Sequence, residues 1–180
     1  MKKIIAIAAL SFVGIAAKAQ VASTATQTVN LNLSNAIELT FTGSGTATGA
    51  AVNLAFNTVN DYANGVASSA QELKVRSNKK FDVTVKTNAA SFSYTGSTTP
   101  APVMPVSGVL ALKVSANGTG GTIGGTFAGY TSLSATAANL IANGLNGGNQ
   151  TFSVMYNATP GFTYPAGTYT VDVVYTATQQ

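Results

Sequence analysis

Apolar and polar residues alternate along most of this chain, and the period is two. Val29, Leu31 and Leu33 are separated by Asn30 and Asn32. Ile37, Leu39 and Phe41 alternate with Glu38 and Thr40, and Val52, Leu54 and Phe56 with Asn53 and Ala55. Side chains on a strand point to its two faces in turn, so each stretch predicts a strand with one face to bury. The segment QELKVRSNKKFDVTVKT carries the pattern twice. Leu73 and Val75 precede Ser77-Asn78-Lys79-Lys80, and Phe81, Val83 and Val85 follow it. This predicts a hairpin with one buried and one wet face. Further strands are expected at 92–94, 109–114 and 152–156 and along the closing stretch TYTVDVVYTAT. There Tyr169, Val171, Val173 and Tyr175 share one face. Thr170, Asp172, Val174 and Thr176 share the other. A slip of one residue would bury Asp172, so the register is well determined.

Between these stretches lie turn residues. Residues 43–49 and 117–125 are Gly-rich loops, 57–70 is a polar connection, and Pro100, Pro102 and Pro105 allow no central strand. One helix is expected at 132–143, where Ser132 or Ser134 caps and Ala137, Leu140 and Ile141 fall at helical spacing before Gly144. Together the pattern predicts an all-β protein. The expected architecture is an antiparallel β-sandwich of about eight to ten strands with at most one short helix.

The first nineteen residues are set apart. Lys2 and Lys3 precede the apolar run 4–17, and Ala17-Lys18-Ala19 has small residues where a signal peptidase reads. A bilayer span takes roughly 20 apolar residues, so the run is short for one. Residues 1–19 are therefore expected to be a cleaved secretory signal of bacterial type, and 20–180 a single β-sandwich domain. With the signal go Lys2, Lys3 and Lys18, so a net charge of +4 falls to +1, from six basic and five acidic residues. That balance argues against nucleic acid, whose binding takes many cations. No later segment is a transmembrane candidate. The expected location is secreted: extracellular, cell-surface or periplasmic.

Composition removes much chemistry. The chain has no His and no Cys. Ser-His-Asp and Cys-His catalysis, disulfides, imidazole zinc sites and haem ligation fall with them. Glu38, Glu72, Asp82 and Asp172 sit at outward strand positions and read as solvated face. Ser77-x-x-Lys80 matches a serine–lysine motif but lacks its S-D-N and K-T-G partners. Gly118-Thr119-Gly120-Gly121 lacks the strand–loop–helix context of a phosphate loop. Asp61 has no calcium-loop spacing around it. The sequons at Asn117, Asn149 and Asn157 carry no weight in a bacterial protein. No catalytic residue, metal site or cofactor is assigned, and an enzyme is not expected.

Two candidate surfaces remain. Lys74, Arg76, Lys79, Lys80 and Lys86 form a local cationic cluster. It reads either as a solvated face that discourages edge-to-edge aggregation or as a patch for an anionic partner such as an acidic surface polysaccharide. Tyr62, Tyr94, Tyr130, Tyr156 and Tyr164 lie near loops or strand ends and are candidate platforms for a glycan.

The ending YPAGTYTVDVVYTAT resembles the closing strand of bacterial secreted sandwich families, among them the WxL surface domain and spore coat protein U. ELKVRSNKKFDVTVKT and MPVSGVLALKV are similar to the WxL pattern of paired strands followed by a short extended one. The chain lacks the Trp motifs of WxL and the Cys pair of many spore-coat and pilin relatives. What the resemblance implies is a pilin-like or Ig-like fold and a surface location, not a ligand.

The expected job is that of a non-catalytic structural or interaction protein of the cell surface. Its partners would be further copies of itself, other surface proteins or surface polysaccharide. Residues 24–33 are either the domain's own first strand or one donated to a neighbour, and local pairing is the simpler expectation. The alternative job is that of a carbohydrate-binding module or adhesin.

Overall fold

A computed structural model describes residues 22–180, so the expected signal at 1–19 lies outside the described residues. Residues up to Leu33 and the stretch Ser34–Gln180 form separate units. In the first, the described residues form no strand, and Val29, Leu31 and Leu33 are 74%, 83% and 89% exposed. The strand expected there is not formed within the domain.

The second unit is all-β apart from one short helix. In chain order come β1 (Ile37–Phe41), α1 (Val59–Asn64), β2 (Val66–Ala67), β3 (Gln71–Ser77), β4 (Phe81–Thr87) and β5 (Ser93–Thr95). Then follow β6 (Leu110–Asn117), β7 (Thr122–Ile123), β8 (Thr131–Ser132), β9 (Ala138–Gly144), β10 (Gly147–Ala158), β11 (Thr168–Thr170) and β12 (Val173–Gln179). Three of these strands, β2, β7 and β8, are only two residues long, so the full-length strands fall within the expected range.

All pairings are antiparallel. One sheet runs β1-β3-β10-β6-β8, with β2 also on β10, and the other runs β12-β4-β9-β7. A ribbon of β11 and β5 stands apart from both. One apolar cluster joins the two sheets: Leu73, Val75, Leu112, Phe152 and Val154 from the first, Phe81, Val83, Val85, Leu140 and Ile141 from the second, all at most 1% exposed. The fold is an antiparallel sandwich with its core between the layers.

Three expectations need correction. β3 and β4 are not a hairpin. β3 pairs with β1 and β10, and β4 with β12 and β9, so residues 78–80 arch from one layer to the other. The connection has no Gly for the positive φ of a tight hairpin turn. Instead the Ser77 hydroxyl donates to the Lys79 carbonyl at 2.7 Å and accepts from the Lys79 N–H at 3.2 Å, which bends the chain out of its sheet. An arch and a hairpin leave the same alternation in the sequence.

The helix expected at 132–143 is mostly strand: β8 ends at Ser132 and β9 runs Ala138–Gly144. In the β4–β9 ladder Val83 faces Ile141 and Thr84 faces Asn139, leaving Leu140 as the extra residue of a bulge. Leu140 and Ile141 are both fully buried, and adjacent apolar residues facing inward imitate a helical pattern. Pairing on both sides of β9 overrides the helix preference of its Ala residues.

The real helix is α1, in the stretch read as a connection. Thr58 and Asp61 form a capping box, the Asp61 N–H donating to Thr58 Oγ1 at 3.3 Å and the Thr58 N–H to Asp61 Oδ2 at 2.7 Å. Asn57 N–H also reaches Asp61 Oδ2, at 2.8 Å. These bonds to the charged form hold the Asp61 carboxyl below its usual range, the Thr58 backbone bond most of all.

Candidate functional site

The strand expected at 52–56 is not formed: the stretch pairs with no other segment among the described residues. Leu54 and Phe56 turn inward onto the core, while the backbone of residues 49–56 makes no hydrogen bond among the described residues. This strap, together with α1 and the 159–172 connection, walls a groove of about 1000 Å³ at one end of the sandwich. That volume is at the upper end for a small-ligand site.

Phe56, Tyr62, Tyr164 and Tyr169 line the groove, and Phe162 and Tyr94 pack against them from outside the lining. Phe56 lies 5.3 Å from Tyr62, and Tyr62 stacks on Phe162 at 5.6 Å with the planes 23° apart. Tyr94 lies 5.0 Å from Tyr169, and Tyr164 meets Tyr169 edge-on at 6.4 Å. Backbone carbonyls at the Pro165-Ala166-Gly167 turn hold two of these rings. Tyr169 Oη donates to Pro165 O at 2.8 Å and Tyr94 Oη to Ala166 O at 3.0 Å. Gly167 is required at this turn because a Cβ there would overlap the Tyr94 ring. Burial raises the Tyr169 phenol above its usual range, and the neighbouring Tyr94, Tyr164 and Tyr62 raise it further.

Of the five tyrosines singled out from the sequence, the fold brings Tyr62, Tyr94 and Tyr164 into this cluster. Tyr156 lines the groove floor but is 8% exposed, its hydroxyl 2.7 Å from that of Tyr175. Tyr130 lies elsewhere, under the Lys113 ammonium at 4.7 Å. Sequence reasoning missed Phe162 and Tyr169. The signal was present in PGFTYPAGTY, where three aromatics fall among turn residues that expose them.

The cationic cluster is divided. Lys74 and Arg76 alternate with buried Leu73, Val75 and Ser77, so they lie on the outer face of the first sheet. Lys86 lies on the outer face of the second, and Lys79 and Lys80 are exposed in the arch between them. Arg76 Nε also pairs with Glu38 at 3.5 Å, with both side chains more than half exposed. Such a pair is worth little in stability but cancels charge. The five residues are thus neighbours in sequence but spread over three surfaces.

The acids are equally dispersed. The Asp172 carboxylate accepts from Asn88 Nδ2 at 2.8 Å, and Asp82 accepts from the Asn143 N–H at 2.8 Å and Gln180 Nε2 at 2.9 Å. No group of three or more Asp or Glu forms among the described residues. No described helix is long and apolar enough to cross a membrane. The loop at 118–121 is held by Asn117, whose side chain accepts from the Thr119 hydroxyl at 2.7 Å and donates to Gly121 O at 2.9 Å.

A second groove of about 380 Å³ opens along one side of the sandwich, between edge strands β1 and β12. Ile37, Leu39, Phe41, Val173, Tyr175 and Ala177 line it. Each is only partly covered, unlike the fully buried side chains of β3 and β4 beside them. Neither outer edge has a strand partner among the described residues.

No family model and no curated protein matches the chain.

Proposed function

We propose that the chain is a secreted, non-catalytic interaction protein of the bacterial cell surface, a subunit of or accessory to a surface assembly. The observation that carries this reading is the half-covered apolar slit between β1 and β12. A strand with apolar side chains at every second position fits such a slit and satisfies its edge backbone groups. The chain carries one: Val29, Leu31 and Leu33, exposed and outside any strand. Its five residues match the length of β1. The occupant in this reading is residues 29–33 of a second copy. The signal-like N-terminus and the resemblance to secreted sandwich families support the location. Dispersed acids and the absence of His and Cys support a non-catalytic role. Fractionation of cells making the native protein tests the location. The reading expects the processed chain outside the cytoplasm, and an unprocessed cytoplasmic pool contradicts it.

A second reading, glycan recognition, is favoured by the aromatic groove at the end of the sandwich. The stacked Tyr62–Phe162 pair supports it, because a flat aromatic face with a polar rim suits a sugar ring.

A further inference from the structure

The aromatic groove carries a narrower inference, which rests on the glycan reading. Among the described residues Asp172 is the only charged one in its lining, and that carboxylate is already bonded to Asn88. None of Lys74, Arg76, Lys79, Lys80 and Lys86 reaches it. A uronate, sulfate or phosphate placed there would lose its hydration and meet no cation. What the groove does offer is uncharged: aromatic faces and the backbone of residues 49–56, which makes no hydrogen bond among the described residues. Backbone N–H and C=O groups without partners bond readily to hydroxyls. Phe162 lies outside the lining but stacks on Tyr62, which belongs to it, and Phe162 is 67% exposed, so this platform beside the groove is open to a ligand. At Gly49, Ala50 and Ala51 the strap forms none of the alternating side-chain pockets by which strand addition selects a peptide; Val52, Leu54 and Phe56 do alternate, so a peptide is kept as an arm of the test.

We infer that the groove takes a neutral oligosaccharide, its rings laid on Tyr62, Phe162 and Tyr169 and its hydroxyls bonded to the backbone of residues 49–56. The test is calorimetric titration of the mature chain with a panel of soluble glycans. Neutral β-glucan, xylan, mannan, galactan and dextran are set beside anionic polygalacturonate and hyaluronate. A synthetic peptide of residues 24–35 forms a third arm. The expected result is saturable binding of a neutral glycan, insensitive to salt and unchanged in the Lys79→Gln/Lys80→Gln variant. Phe162→Ala should weaken it about three- to tenfold, the worth of one aromatic face. Phe162 is mostly exposed, so this variant should melt like the wild type. Tyr62→Ala should weaken binding further, with a melting curve to confirm folding. Binding of polygalacturonate alone, weakened by Phe162→Ala, would overturn the neutral class and leave the glycan reading standing. Failure of every polysaccharide would remove both. Peptide binding that Phe162→Ala abolishes, with no glycan bound, would give the groove to a protein strand.

Discussion

Tyr156 on β10 and Tyr175 on β12 link the two layers through a single hydroxyl–hydroxyl bond of 2.7 Å. Substituting Tyr175 by Phe removes one partner and leaves the Tyr156 hydroxyl, in a residue 8% exposed, with nothing to bond. A buried polar group left unsatisfied costs about 1–3 kcal/mol. For a domain of this size each kcal/mol lowers Tm by about 2–4 °C. The double substitution Tyr156→Phe/Tyr175→Phe removes both polar groups and keeps both rings, including the edge-on contact of Tyr175 with Phe41 at 6.1 Å. It should therefore lie within about 1 kcal/mol of the wild type, less damaging than Tyr175→Phe alone. Urea denaturation of the wild type, both single variants and the double variant completes the cycle. A double variant that loses the sum of the two single losses would show that the hydroxyls act independently and that neither satisfies the other.

The same pair sets an alkaline limit. Burial raises both phenols, Tyr175 well above the usual tyrosine range, with Tyr156 adding to its shift. A raised folded pKa gives stability that is complete below the ordinary tyrosine value and lost as pH rises through the folded one. Tyrosinate absorbance should therefore show late-titrating phenols that ionise together with unfolding. Early, independent ionisation of all seven tyrosines would contradict this. At the acid end, Asp61 is lowered, so its capping contribution holds above the ordinary aspartate range and is lost as pH falls through the lowered value. Hydrogen exchange at the Asn57 and Thr58 amides should speed up in that window, and Thr58→Ala should cost about 0.5–2 kcal/mol. Phe152→Ala empties the centre of the core, where Phe152 is 1% exposed, and should cost about 3–5 kcal/mol in chemical denaturation. A loss below 1 kcal/mol, roughly the scale of a surface change, would mean that Phe152 is not central.

Along the closing stretch, which residues face inward was legible from alternation alone. Val171, Val173, Tyr175 and Ala177 pack on the core while Asp172 and Val174 stay out. The split between β11 and β12 was not legible. Val171 and Asp172 leave the ladder because Asp172 bonds Asn88, a residue distant in sequence. Partnership was hidden in general. Alternation places Leu73 and Phe81 on buried faces without saying whether the two strands share a sheet, and the arch at Ser77 decides that. Residues 138–144 looked helical because a bulge turns two neighbours inward. The Thr58/Asp61 cap was readable but lay in a stretch with no apolar period. The aromatic groove draws on segments from Phe41 to Val173, so only the fold assembles it. Its densest part, 160–169, was marked by aromatics among turn residues.

Sedimentation velocity of residues 20–180 over a wide concentration range decides whether copies join through the β1/β12 slit, with Leu31→Lys/Leu33→Lys and Ala177→Lys run alongside. The wild type should associate in a concentration-dependent way. Both variants should lose it, the first by spoiling the offered strand while melting like the wild type, and the second by blocking the β1/β12 slit, with a melting curve to confirm that it is folded. A wild type that remains monomeric at every concentration, or association indifferent to both substitutions, would contradict joining through the slit.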